Sequence, residues 1–262
     1  MKKKFKLFCF GFGQVAKYFV NKLLDKKVFF DLITTNTTKT ELKKIDKFKY
    51  KSYFFYNDKF DNDILKDLKL SNKILISIPP KNKTDLVLKN FGKYFKNRNL
   101  DWVTYLSATN VYGDKRGEWV NENSRPNPVS FRGISRLVVE NEWLNFYKNF
   151  LLPIQIFRLS GIYSNENNII NRLKIGDYKI IEKKNNFFSR IHIEDIAELL
   201  LLSLNKFKPG ETFNISDNYP CSNEEIATYA SKLLKITKPQ KIKLIDVENE
   251  ILKDFYKDSK KV

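Results

Sequence analysis

Three small residues near the start of the chain, Gly11, Gly13 and Ala16, fall in a G-x-G-x-x-A spacing directly after the apolar run FKLFCF and ahead of residues with helical periodicity. That order predicts strand, tight turn and helix. The first glycine lets the chain turn off the strand, the second lets backbone approach a pyrophosphate, and Ala16 allows the helix to pack closely on the strand. A diphosphate would meet the start of the helix near Gln14, where backbone N–H groups lack intrahelical acceptors and the helix dipole is positive. The chemistry implied is binding of a dinucleotide, with Phe12 and Val15 completing the turn.

Such a turn needs further strand ends around it. Residues 28–35, VFFDLITT, form the expected second strand. A protein that holds the ribose 2′-OH of NAD usually carries an acid there, roughly 20 residues past the glycines. Here Thr34, Thr35, Asn36, Thr37, Thr38 and Lys39 follow without one. Hydroxyls, an amide and a lysine suit a 2′-phosphate, so NADP is slightly favoured over NAD, with Thr35 and Asn36 as contacts. The strand 73–78 stops at Pro79 and Pro80, because proline cannot continue a ladder. In a doubly wound sheet Ile78 and Pro79 would lie beside the dinucleotide, at the carboxyl ends of the strands. Strands at 102–106 and 153–159 end near Ser107 and Ala108, and at Ser160 and Gly161, and these complete the expected cofactor contacts.

Further elements are a short aromatic strand at 53–56, a polar helix or loop at 58–69, helices at 84–95 and 129–150, a strand at 178–181, and the segment 187–204 with Asp195 near a helix start. A strand at 212–215, a helix at 222–234 and a charged tail follow. The expected division is a dinucleotide-binding domain over 1–160 and a small substrate-side α/β lobe over 161–262, some of whose segments return to the core.

The chain has 262 residues, enough to bury roughly 70–75% of its unfolded surface. Its two cysteines, Cys9 and Cys221, and its one histidine, His192, give neither a disulfide framework nor metal-ligand spacing, so no metal is expected. The basic start MKKK before an apolar run has the look of a signal peptide, but Lys6 and the glycines interrupt it and no small-residue cleavage site follows. The reading is a cytoplasmic protein. No apolar run is long enough to cross a bilayer. The formal charge of +18 raises nucleic-acid binding. The lysines are nevertheless scattered through nearly every predicted helix and loop and mixed with acids, and arginine, the better reader of phosphates and bases, is scarce. A small-molecule substrate is the better expectation.

The block SATNVYGDKRGEWVNENSRPNPVSFRGISRLVVENEW, residues 107–143, resembles the extended short-chain dehydrogenase/reductase group, the NAD-dependent epimerase and dehydratase relatives. GFGQVA, RLSGIY at 158–163, RIHIEDIAE at 190–198 and FNISD at 213–217 match in the same order. The resemblance implies a Rossmann-type doubly wound parallel sheet with a small C-terminal lobe. It also implies oxidoreductase or epimerase-like chemistry on a sugar-like carbonyl or alcohol, and a homodimer through the 129–150 helix. The chain closes at DSKKV, where the resemblance leads one to expect a further short segment.

In that family a tyrosine exchanges a proton with the substrate, a lysine four residues on lowers its pKa and holds the nicotinamide ribose, and a serine or threonine binds the same substrate oxygen. In this register stand Arg132 and Arg136, and the hydroxyl position falls on Ala108, between Ser107 and Thr109. On an ideal strand those neighbours point to the face opposite Ala108. Thr109, Arg132 and Arg136 are therefore the candidate catalytic residues in an atypical member of the superfamily. An arginine keeps its proton to above about pH 12 and is no base near neutrality. It can clamp a carboxylate or phosphate, or stabilise charge on a substrate oxygen. The plainer alternative makes Arg132 and Arg136 surface groups pairing with Glu140 or solvent. Tyr112 and Tyr163 match packing positions, and His192 suits a structural hydrogen bond. A protein that keeps the glycine turn and loses the relay could equally be a non-catalytic NAD(P)-binding sensor or scaffold.

Overall fold

The computed structural model describes residues 4–96, 98 and 100–262; the first three residues of the basic start lie outside them. Apolar residues of β1 (Phe5–Phe10) give way at Gly11 to α1 (Gln14–Asp25), whose Ala16, Phe19, Val20 and Leu23 are buried at helical spacing. There follow β2 (Phe30–Asn36), β3 (Glu41–Ile45), β4 (Phe48–Tyr56), β5 (Lys59–Phe60), α2 (Ile64–Leu70), β6 (Lys73–Ile76) and α3 (Leu86–Phe91). Then come β7 (Trp102–Ala108), α4 (Phe131–Phe150), β8 (Ile154–Leu159), β9 (Gly161–Tyr163), α5 (Ile169–Lys174), β10 (Ile180–Glu182), β11 (Phe187–Phe188) and β12 (Arg190–His192). The chain continues through α6 (Ile193–Ser203), β13 (Thr212–Ile215), β14 (Cys221–Ser222), α7 (Asn223–Leu234), β15 (Lys241–Lys243) and α8 (Glu250–Tyr256).

The main sheet has the order β13-β8-β7-β6-β1-β2-β4-β3. β1 is parallel to β2 and β6, β2 to β4 and β6 to β7, while β3 turns back antiparallel on β4. The strand order reverses at β1, the switch point at which an open α/β sheet leaves a crevice. This is the Rossmann-type arrangement expected. The hairpin of β3 was not expected from the sequence, and β4 runs five residues further back than the aromatic stretch 53–56.

The chain divides into two compact units, neither continuous. The first comprises 1–107, 138–157 and 194–213; the second comprises 108–137, 158–193 and 214–262. The turn and helix start at 108–137 thus belong to the second unit, on the N-terminal side of the position-160 boundary. In the first unit the core is aromatic: Phe8, Phe10, Phe55, Phe91, Phe95, Tyr105 and Trp143 are buried together, each contributing about 1.5–3 kcal/mol. The second holds small strand pairs, β10 with β15, β11 with β14 and β12 with β9, and two lesser apolar clusters, one around Ile181, Val247 and Tyr256 and one of Val111, Tyr112 and Val120.

Candidate dinucleotide cradle and the arginine-bearing turn

In the first unit the glycine turn is built from both flanking strands. Gly11 has φ +82°, and a Cβ there would stand 2.8 Å from Ser77 Oγ. That hydroxyl donates to the carbonyls of Phe10 and Gly11 at 3.1 Å each. The Gly11 N–H donates to Thr35 Oγ1 at 2.8 Å, so β2 and the segment after β6 hold the turn from two sides. Sequence reasoning named Ile78 and Pro79, which are half-buried and exposed, and passed over Ser77. Its signal was a hydroxyl residue closing an otherwise apolar strand just before two prolines.

Gly13 is the N-cap of α1. It has no side-chain cap, no acid follows in the first turn, and a Cβ on Gly13 would meet nothing within 4 Å. Open space therefore faces the helix start, whose free N–H donors fit a pyrophosphate. Phe12 packs its ring 5.3 Å from that of Tyr50, Gln14 is exposed, Val15 is half-buried and Ala16 is buried.

At the end of β2 the side chains are engaged locally. The Asn36 amide donates to the Lys39 carbonyl and to Ser52 Oγ, both at 2.8 Å, and its oxygen accepts from Thr38 N–H and Lys39 N–H. Asn36 thus folds the turn into β3. Lys39 is exposed, 3.8 Å from the Glu41 carboxylate. Ser107 is buried and its hydroxyl has no partner.

In the second unit, Ala108 and Thr109 are half-buried where β7 passes into a short 3-10 turn. Gly133 lies so close to this turn that a Cβ would stand 2.5 Å from the Asn110 carbonyl oxygen. This approach fixes the first turn of α4, where Ser130 Oγ accepts the Gly133 N–H at 3.1 Å. Arg132 is exposed there and Arg136 is half-buried. Ser160 is buried with an unpartnered hydroxyl, and its N–H donates to the Ile215 carbonyl at 3.0 Å. Gly161, exposed, donates to the Ser189 carbonyl at 3.1 Å.

Tyr112 is fully buried, its hydroxyl between Arg158 and Asn214. Burial pushes its pKa up, with Arg158 opposing. Tyr163 and His192 pair across β9 and β12, with rings 5.1 Å apart. Among the described residues no group of His, Cys, Asp and Glu could hold a metal ion, and no helix is long and apolar enough to cross a membrane.

The sequence model of the NAD dependent epimerase/dehydratase family matches residues 87–216. A dTDP-D-glucose 4,6-dehydratase of Dictyostelium discoideum is 25% identical over 154 residues, 50% of this chain and 35% of that protein. The chain therefore aligns with little more than a third of that relative's length. A functionally unknown conserved protein from Silicibacter pomeroyi superposes with a TM-score of 0.83 at 28% identity, covering 98% of this chain and 89% of its own. The dTDP-glucose 4,6-dehydratase of Bacillus anthracis in complex with NAD gives a TM-score of 0.73 at 17% identity, covering 91% and 84%. With the glycine turn at the switch point, the parallel sheet and these matches in hand, residues 87–216 carry the sequence of the NAD dependent epimerase/dehydratase family, and the chain as a whole has the Rossmann-type fold of that family's solved structures.

Proposed function

We propose that the chain binds NAD(P) along the Gly11–Ala16 turn and acts as an epimerase- or dehydratase-like oxidoreductase on a nucleotide sugar or a related carbonyl or alcohol, without the usual Ser-Tyr-Lys relay. The observation that carries the binding half is Gly13, open on its Cβ side at the uncapped start of α1. When bound, the nicotinamide supplies hydride-transfer chemistry. The chain's own part is positional: Ser77 and Thr35 fix the turn, and the α1 amides receive the pyrophosphate. The 2′-phosphate form is the slightly better fit, because β2 ends without a carboxylate and Lys39 stands three residues beyond Asn36.

The substrate class follows relatives named as dTDP-D-glucose 4,6-dehydratase and as UDP-glucuronic acid 4-epimerase. Arg132, exposed on the first turn of α4, suits the phosphate or carboxylate of such a molecule. A second reading, a non-catalytic cofactor sensor or scaffold, is favoured by Ala108, Arg132 and Arg136 standing where the family's resemblance puts hydroxyl, tyrosine and lysine.

The test is fluorescence titration with NADPH and NADH, then a screen for cofactor oxidation or reduction with dTDP- and UDP-sugars. Saturable binding with turnover supports the enzyme. Binding without turnover on any sugar nucleotide supports the sensor. No binding of either cofactor at millimolar concentration removes both.

A further inference from the structure

Residues 257–262 read Lys-Asp-Ser-Lys-Lys-Val, a composition that favours solvent, yet Asp258, Ser259 and Lys260 are 5%, 1% and 7% exposed. Backbone pairing on two sides accounts for this. On one side the Lys115 and Gly117 N–H groups donate to the Ser259 carbonyl at 2.9 and 3.2 Å, and Lys261 exchanges bonds with Glu118 and Val120 at 3.0 and 2.9 Å. On the other, the Lys260 N–H donates to the Phe187 carbonyl at 3.3 Å, while Ser259 Oγ and Ser189 Oγ accept from Phe187 and Val262 at 2.9 and 2.8 Å. The segment is an extended stretch held between the loop at 115–120 and β11, two regions distant in sequence, with one isolated β-bridge from Lys261 to Trp119. Lys183 pins its entry, with Nζ 2.8 and 2.9 Å from the Tyr256 and Lys257 carbonyls and 3.4 Å from the Asp114 carboxylate.

What the segment lacks is apolar anchorage. Val262 packs on the small cluster of Val111, Tyr112 and Val120, and the Lys261 ammonium lies 4.3 Å from the centre of the Phe187 ring. The buried Lys260–Asp258 pair, at 3.6 Å, must offset the desolvation of both ions, and Asp258 Oδ1 has no hydrogen-bond partner. Segments held by hydrogen bonds and charge with few buried apolar contacts belong to the part of a fold that opens locally before the rest. Its contacts also shape one wall of a polar cavity of ≈ 390 Å³, because Ser259 Oγ donates to the carbonyl of Asn185, which lines that cavity with Phe187.

We infer that residues 257–262 are a releasable strap, pinned by Lys183, that opens as a unit while the rest of the second unit stays folded. Taken with the sugar-nucleotide reading proposed above, on which this clause rests, seating of the strap closes 113–120 against 187–189 and gates substrate binding, not cofactor binding. A ligand held by the closed form would in turn favour the seated strap.

Hydrogen exchange of the full chain, Lys183→Met and Ser259→Ala, with and without UDP-glucose, tests this. In both variants the amides of 115–120, 187 and 260–262 should exchange at least tenfold faster, with the β9–β12 amides unchanged. UDP-glucose affinity should fall at least tenfold and NADPH affinity stay within twofold. Acceleration spread evenly over the second unit, or none in either variant, overturns the strap, as does undiminished UDP-glucose affinity alongside localised opening for its gating role. Localised opening in a parent protein that ignores UDP-glucose supports the strap and counts against the substrate reading alone.

Discussion

The Arg158 guanidinium lies 4.9 Å from the centre of the Tyr112 ring and donates to its hydroxyl at 2.8 Å, and that hydroxyl reaches Asn214 Oδ1 at the same distance. Both bonding directions of the phenol are thus committed within the second unit. Asn214 is itself fixed, since its N–H donates to the Glu122 carboxylate at 2.8 Å. The tyrosine of the VYGD block is a packing and hydrogen-bonding group. Tyr112→Phe should cost about 1–3 kcal/mol in urea unfolding, because a buried guanidinium loses an acceptor. Cofactor affinity should not change. Full stability together with lost turnover would make Tyr112 catalytic instead.

Arg132 separates substrate from cofactor. It is exposed on a helix turn that Gly133 and Ser130 hold rigidly. If it clamps an anionic group of the substrate, Arg132→Ala should weaken nucleotide-sugar binding at least tenfold and leave NADPH affinity within twofold, as read by paired titrations. Equal loss of both would place the guanidinium on the cofactor.

Asp85 gives the first unit a pH signature. Its carboxylate caps α3, accepting from the Val87 and Leu88 N–H groups at 2.8 and 2.7 Å, and receives Trp143 Nε1 at 3.1 Å. Burial raises its pKa, and these donors oppose the rise without cancelling it. A raised carboxyl pKa means that the folded state binds the proton more tightly than the unfolded chain. The stability from this group is therefore complete below the ordinary value of about 3.9 and is lost as pH rises through the raised one. Asp85→Asn keeps a capping oxygen but turns a donor toward Trp143, so its baseline should drop by about 1–2 kcal/mol. The diagnostic is the slope: across that window the unfolding free energy of the variant should fall less with pH than that of the parent. A steeper fall would contradict the assignment.

The legible part of the fold was the part written in hydrophobic period. FKLFCF, the two glycines and the helix from Gln14 stand where the sequence puts them, as do β6, β7, α4 and β8. β3 was illegible because ELKKI is an edge strand whose Lys44 lies directly opposite Lys49. Lysine on an edge protects against further pairing and removes the apolar alternation that marks a strand. Asn36 looked like a cofactor contact from its position alone, but its side chain is spent on the turn, which no spacing rule reveals. The tail was read only as charged. The burial of Asp258 to Lys260 within it comes from backbone partners at Lys115, Gly117 and Phe187, which no local pattern reveals. Ser77 and Lys183 act through contacts to residues 66 or more positions away, beyond the reach of a local motif.

The two glycines of the turn should respond differently to a methyl group. At Gly11 the positive φ and the 2.8 Å approach to Ser77 Oγ mean that Gly11→Ala should lower stability by about 1–2 kcal/mol, measured by urea unfolding, and weaken cofactor binding with it.

Gly13 carries the central claim, because its φ of −77° suits any residue and its Cβ would enter open space. The decisive measurement is the NADPH and NADH Kd of Gly13→Ala beside its Tm. Occupation of the cradle predicts at least a tenfold weaker Kd for the bound form with an unchanged Tm. A variant that binds either cofactor as tightly as the parent would contradict a pyrophosphate site at this turn.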